Sequence, residues 1–129
     1  MSLNTNMRVL IVDDYHTMLR ILRNLLRQLN LENVDEAHEG EEAFSKLQSA
    51  GPHDLIISGW NMKPITGLDL LKRVRADEKL KRIPFIMVTA ESKTENVIAA
   101  KQAGVSNYIV KPFNSETLRA KIASVMGVS

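Results

Sequence analysis

The sequence predicts an α/β domain: a doubly wound sheet of five parallel strands flanked by five helices. Three observations point there. Short β-type runs alternate with longer amphipathic segments five times along the chain. Three of the runs are nearly continuous in apolar residues, as strands covered on both faces should be. The connections between runs are long enough for right-handed crossovers between parallel strands. A length of 129 residues fits one ordinary domain.

The opening Met1–Asn6 is polar and reads as a loose leader before a domain spanning 7–129. The first strand is expected over Arg8–Asp13. The helix after it carries Met18, Ile21, Leu22, Leu25, Leu26 and Leu29 at spacings of three and four, with Arg20, Arg23 and Arg27 opposite. A weaker strand follows at Asn33–Ala37. The second helix opens at Gly40-Glu41-Glu42, where two acids suit the positive end of a helix dipole. It turns Ala43, Phe44 and Leu47 inward and stops near Gly51-Pro52. The third strand covers Asp54–Ser58. Thr66–Asp69 and Ser92–Glu95 have capping-box spacing and open the third and fourth helices, around a fourth strand at Pro84–Thr89. The fifth strand is Ser106–Val110, and Asn114 caps a last helix carrying Leu118, Ile122 and Val125.

Composition narrows the function. With 44% hydrophobic residues the chain can build a core without staples, and with no cysteine it has no disulfide, thiol nucleophile or cysteine-type zinc site. The 17 basic residues against 15 acidic give a net charge of +2, too near neutral to predict nucleic-acid binding. No apolar run approaches the roughly 18 residues a bilayer span needs, and no signal-peptide pattern opens the chain. A soluble, monomeric, cytoplasmic domain is expected. His16, His38 and His53 are scattered and lack metal-ligand spacing. The six methionines read as core filler.

In a doubly wound sheet, sites form beyond the carboxyl ends of the strands. There the sequence places Asp13-Asp14, then Ser58-Gly59-Trp60-Asn61, then Thr89-Ala90, then Lys111-Pro112. Adjacent carboxylates repel unless positive charge is close. Lys111 or a hard divalent cation such as Mg²⁺ could supply it. A plainer role for the pair is open: Asp14 caps the first helix and Asp13 sits in a surface turn.

Val12-Asp13-Asp14, Thr89-Ala90 and Lys111-Pro112-Phe113, with Trp60-Asn61-Met62, Glu95-Asn96 and Ala103-Gly104 in order between them, resemble the receiver domains of two-component response regulators. The stand-alone chemotaxis receivers are the most similar. The resemblance covers Arg8 to Met126 and implies a flavodoxin-like topology with the strand order 2-1-3-4-5. It also implies a function: accepting a phosphoryl group, on an aspartate ending the third strand, from a histidine kinase or phosphotransfer protein. Mg²⁺ would be held by Asp13 through water, by Asp14 directly and by the carbonyl of Asn61. Thr89 would hydrogen-bond the phosphoryl group, Lys111 would pair with its charge, and Tyr108 would be the switch aromatic. Val97, Lys101, Tyr108, Val110 and Lys121 map to the surface that binds a target such as the flagellar motor switch. A cis Lys111–Pro112 bond is also implied.

The acceptor position, however, is Gly59. Ser58 points to the other face by strand alternation, and Asp54 lies five residues back, roughly 16 Å along a strand. The chain should therefore not be phosphorylated at the usual place. Two carboxylates instead of three face the lysine, so weaker Mg²⁺ binding is expected, with Lys111 bridging to Asp13 or Asp14. Both an altered ordinary receiver and a naturally degenerate one remain open. The turn after the third strand also departs from the family: Pro64 is displaced by one place and Thr66 replaces an acid. Lys63, near the site mouth, is expected to be solvated. Two other functions compete. One is a phosphate-independent protein-binding module. The other is a flavodoxin-like cofactor binder, disfavoured because no Gly- or Ser/Thr-rich phosphate loop follows the first strand.

Overall fold

A computed structural model describes residues 3–90 and 94–127. The elements alternate throughout: β1 (Val9–Val12), α1 (His16–Gln28), β2 (Val34–Ala37), α2 (Gly40–Ser49), β3 (Leu55–Gly59), α3 (Gly67–Ala76), β4 (Phe85–Thr89), α4 (Thr94–Ala103), β5 (Asn107–Val110) and α5 (Ser115–Met126). Every strand pairing is parallel, as the alternation predicts, and the order is β2-β1-β3-β4-β5, as the family resemblance implies. Leu3 packs against the core, and the N–H of Met7 donates to the carbonyl of Asn4 at 3.2 Å.

Strand alternation divides the core in two. Val9, Ile11, Ile57, Val88 and Ile109 face α1 and α5, where Leu19, Leu22, Leu26, Leu118 and Ile122 meet them. Leu10, Val12, Ile56, Phe85 and Met87 face the other way, onto Ala43 and Leu47 of α2 and Leu70, Leu71 and Val74 of α3. Each fully buried side chain of this kind contributes about 1.5–3 kcal/mol. Because apolar layers cover both faces, polar chemistry is displaced to the strand ends.

The inward stripe of α1 differs from the expected one. Leu19, which the periodicity reading left out, is buried, whereas Ile21 is 41% exposed. At about 100° per residue, Ile21 lies about 200° around the helix from Leu19, away from the sheet. Nor does Asp14 cap this helix. The N-cap is Tyr15, which makes no side-chain capping bond, and the Asp13 carboxylate instead accepts the Tyr15 N–H at 3.0 Å.

The other helix starts follow their sequence signals. Glu39 accepts the N–H groups of Glu41 and Glu42 at the head of α2. Thr66 and Asp69 form a reciprocal capping box on α3, so the altered turn still starts the helix. Asn114 accepts the Thr117 N–H at 2.9 Å to cap α5. The capping box expected at Ser92–Glu95 falls on residues that lie partly outside the described ones. The peptide bonds before Pro52, Pro64 and Pro112 are cis; the family resemblance implies only the last.

Two polar clamps were not legible in the sequence. The His53 side chain is fully buried beneath β2, with Nε2 2.8 Å from Asp35, which also pairs with Arg8 at 2.7 Å. Burial would raise the Asp35 carboxyl, but the bonds from His53 and Arg8 outweigh it and hold it below its usual range. Arg75 reaches four acceptors: the carbonyls of Gly104, Lys81 and Ile83 and the Ser106 hydroxyl. It thereby ties α3 to the turns before β4 and β5.

One close approach sets the start of α3. The Gly67 N–H donates to the Trp60 carbonyl at 2.8 Å. A Cβ at Gly67 would run into the Gly59 carbonyl oxygen and lie 3.0 Å from the Met87 sulfur. The oxygen belongs to the backbone of β3, which cannot move without breaking its ladder. Gly67→Ala is therefore expected to cost about 1–3 kcal/mol through overpacking. Thr66→Ala should cost about 1 kcal/mol through the lost cap. Urea unfolding of the two variants tests the order; a Gly67→Ala chain as stable as the parent would contradict the close approach.

Candidate functional site

Register brings the strand ends together. Val12 lies beside Ser58, Gly59 beside Val88, and Thr89 beside Val110. The residues just past these ends are tied to neighbouring strands: the Asp13 N–H donates to the Ala37 carbonyl at 3.2 Å and the Lys111 N–H to the Thr89 carbonyl at 2.8 Å. The result is an open pocket of about 250 Å³ lined by Asp13, Asp14, Gly59, Asn61, Thr89 and Lys111. Of the residues that the sequence places at the carboxyl edge, these six and Ala90 share this one cavity, while Ser58 and Pro112 do not line it. Tyr15 and Trp60 line it too. The sequence reading assigned Tyr15 no place there, although its position directly after the acidic pair was the available signal.

Burial separates the two carboxylates. Asp13 is only 5% exposed, whereas Asp14 is exposed. Desolvation raises the Asp13 carboxyl above its ordinary range; the Tyr15 N–H and the charge of Lys111 pull it down, and Asp14 pushes it up. Burial wins, so Asp13 is a carboxylate short of counter-charge.

The expected bridge from Lys111 needs correction. Among the described residues no ion pair joins Lys111 to Asp13 or Asp14 within 4.0 Å. Lys111 acts on Asp13 through the shared pocket instead. The reason lies at Gly59. A Cβ built there would stand 2.6 Å from Oδ2 of Asp13 and 3.2 Å from its Cγ. The Asp13 carboxylate thus occupies the space that a side chain at 59 would use, with its other oxygen held by the Tyr15 N–H. Ser58 is buried, and its hydroxyl donates to the Gly59 carbonyl at 2.9 Å, so it offers the pocket nothing.

The remaining singled-out residues lie on the flank formed by α4, β5 and α5. Lys101 is exposed, Val97, Tyr108 and Lys121 are partly buried, and Val110 is 39% exposed. Tyr108 packs against the core layer of α2 and α3. Lys121 reaches Oδ1 of Asn107 at 3.4 Å. Ile98, 49% exposed on α4, belongs to the same flank and was not anticipated.

A response regulator receiver domain model matches residues 9–123. The chain belongs to the response-regulator receiver family. Chemotaxis protein CheY-3 of Vibrio cholerae is 50% identical over 123 residues, covering 95% of this chain and 94% of that protein. CheY of Pseudomonas aeruginosa is 50% identical over 119 residues, covering 92% of this chain and 95% of that protein. Among solved structures, Vibrio cholerae CheY4 superposes with a TM-score of 0.84 at 35% identity, covering 92% of this chain and 98% of that one. Receivers of this type are signalling domains and not enzymes. No helix among the described residues is long and apolar enough to cross a membrane.

Receiver domains bind Mg²⁺, a cation that takes hard oxygen ligands and keeps several waters. This receiver's donors fit that ion in kind: an under-compensated buried carboxylate, an exposed one beside it, and a neighbouring carbonyl at Asn61. When bound, the ion supplies positive charge opposite Asp13 and Asp14. In number the donors fall short: among the described residues no cluster of three or more His, Cys, Asp or Glu side chains is placed to hold a metal. Mg²⁺ titrated against Trp60 fluorescence should therefore bind this receiver more weakly than its Gly59→Asp variant; equal affinities would show that residue 59 contributes no ligand.

The Asp13 shift also sets a pH dependence. A carboxyl whose folded pKa is raised destabilises the fold once ionised. Parent stability from this group thus rises as pH falls from the raised value toward the ordinary one. In a chelator, Asp13→Asn should be more stable than the parent at neutral pH, and the advantage should shrink as pH drops through that window. Urea unfolding at stepped pH checks both points; an advantage that grows on acidification would reverse the assignment.

Proposed function

We propose that this chain is a CheY-like single-domain receiver in chemotaxis-type two-component signalling that cannot accept a phosphoryl group at the usual place. One observation carries the reading: a glycine sits at the centre of a pocket otherwise lined by the receiver's acidic pair, threonine and lysine. The closely similar CheY proteins support the chemotaxis assignment.

The roles follow from charge and reach. Transferring a phosphoryl group depends on positioning and on stabilising charge spread over its oxygens. Lys111 is the cation for that charge, and Thr89 is the hydroxyl donor. Asp13, Asp14 and the Asn61 carbonyl hold Mg²⁺. Tyr108 on β5 follows Thr89 as the switch. A glycine at 59 offers no oxygen to attack phosphorus, and Asp13, turned into the vacated space, is held by Tyr15. The partners on this reading are a histidine kinase or phosphotransfer protein and a target such as the flagellar motor switch. The target is met through Val97, Lys101, Tyr108, Val110 and Lys121. The protein acts as a cytoplasmic monomer.

A second reading, a phosphate-independent module that competes with ordinary receivers for those partners, is favoured by the way the Asp13 carboxylate takes the space beside Gly59 that a side chain there would use. Incubating the chain and its Gly59→Asp variant with Mg²⁺ and a small phosphodonor, then weighing both, tests the main proposal. A phosphoryl adduct is expected only on the aspartate variant. The atom met by the new Cβ is the end of a flexible carboxylate, so Asp13 can rotate aside. An adduct on the unaltered chain would sink the proposal.

A further inference from the structure

Two histidines far apart in the chain meet at the carboxyl edge of the sheet. His16 opens α1 and His38 follows β2; their ring centroids are 5.1 Å apart and the rings are inclined at 49°. Both side chains are exposed. Scattered along the chain, these two histidines are brought side by side because parallel β1 and β2 deliver their following loops to the same edge, while His53 lies apart against Asp35.

His38 is already oriented. Its Nδ1 lies 3.1 Å from Oε1 of Glu42, which also accepts the His38 backbone N–H at 2.6 Å. Such a carboxylate fixes the tautomer with the proton on Nδ1 and leaves the Nε2 lone pair directed outward, the arrangement that supports metal-ligating histidines. Glu42 is kept ionised, first by that backbone N–H.

The spacing suits a tetrahedral ion. A zinc ion about 2.0–2.1 Å from an imidazole nitrogen lies about 3.2 Å from the ring centroid. Two rings whose centroids stand 5.1 Å apart lie within the roughly 6.4 Å that two such ligands span, so rotation of exposed side chains alone can bring both nitrogens to one ion. Of the cations on α1 near His16, Arg23 is engaged by Glu36 at 2.7 Å. Arg20 lies one turn beyond His16 and is exposed to solvent.

We propose that His16 and His38, backed by Glu42, form a chelating site for a borderline divalent transition ion such as Zn²⁺, distinct from the acidic pocket. With no cluster of three His, Cys, Asp or Glu ligands among the described residues, this is an open two-imidazole site with water at its remaining positions. Ligand chemistry separates it from the Asp13–Asp14 site. Imidazole suits zinc, whereas carboxylate and carbonyl suit Mg²⁺. A bound ion would bridge α1 to the loop before α2.

The test is calorimetric titration of the whole chain with Zn²⁺ in excess Mg²⁺, at a pH where imidazole is neutral. One ion per chain is expected. His16→Ala and His38→Ala should each weaken binding by at least about tenfold, Glu42→Gln by about tenfold, and Asp13→Asn not at all. The imidazole NMR signals of His16 and His38 should shift on Zn²⁺ addition while that of buried His53 stays put. Absence of zinc binding, binding indifferent to both histidine variants, or binding abolished by Asp13→Asn would each overturn the proposal. The phosphodonor experiment on Gly59→Asp is independent of this one.

Discussion

The parallel ladder that aligns β1, β3, β4 and β5 is the constraint from which the rest follows. Val12 beside Ser58, Gly59 beside Val88 and Thr89 beside Val110 put four strand ends at one level. Parallel strands all point the same way, so every residue just past its strand emerges on one edge. Three chain segments far apart in sequence thereby deliver two carboxylates, a hydroxyl and an ammonium to one cavity, and a fourth brings Gly59 and Asn61. A slip of one residue in any strand would turn its alternating side chains to the opposite face. The apolar packing on both sides of the sheet holds that register, and so the core positions the site.

Within the pocket the balance of charge depends on residue 59. A glycine there removes an anion and also removes a volume. The Asp13 carboxylate lies in that space, shielded from water, and is stabilised mainly by one backbone N–H and the field of Lys111. The strand end is joined to the start of α3 by the Gly67 N–H, which donates to the Trp60 carbonyl, and the close approach of Gly67 to the Gly59 carbonyl leaves no room for a Cβ there. The pocket therefore stays assembled without the side chain around which its other members converge.

Where periodicity and chemistry agree along the chain, the sequence reading is reliable. The strand runs of β1, β3 and β4 are apolar enough to demand a two-sided cover, and the caps at Thr66 and Asn114 are local hydrogen bonds that need no tertiary partner. The reading fails where the deciding partner is remote. Ile21 and Leu19 both suit a helix, and only the position of the sheet decides which is buried. His53 looks like a loop residue until Asp35 on β2 lies opposite it. Arg75 looks like surface charge until the carbonyls of two distant turns close around it.

The sequence alone determined the alternating architecture, the membership of the acidic pair, the threonine and the lysine in one site, and the lack of a side chain at 59, and its motifs implied the strand order through the family they resemble. These depend on residue identity, short-range spacing and the direction of parallel strands. The tertiary structure alone decided which carboxylate is buried, that Asp13 and not Lys111 takes up the room beside Gly59, and that His16 and His38 stand side by side. Those outcomes depend on distances across the sheet edge, where solvent access and excluded volume act between residues that the chain order keeps apart.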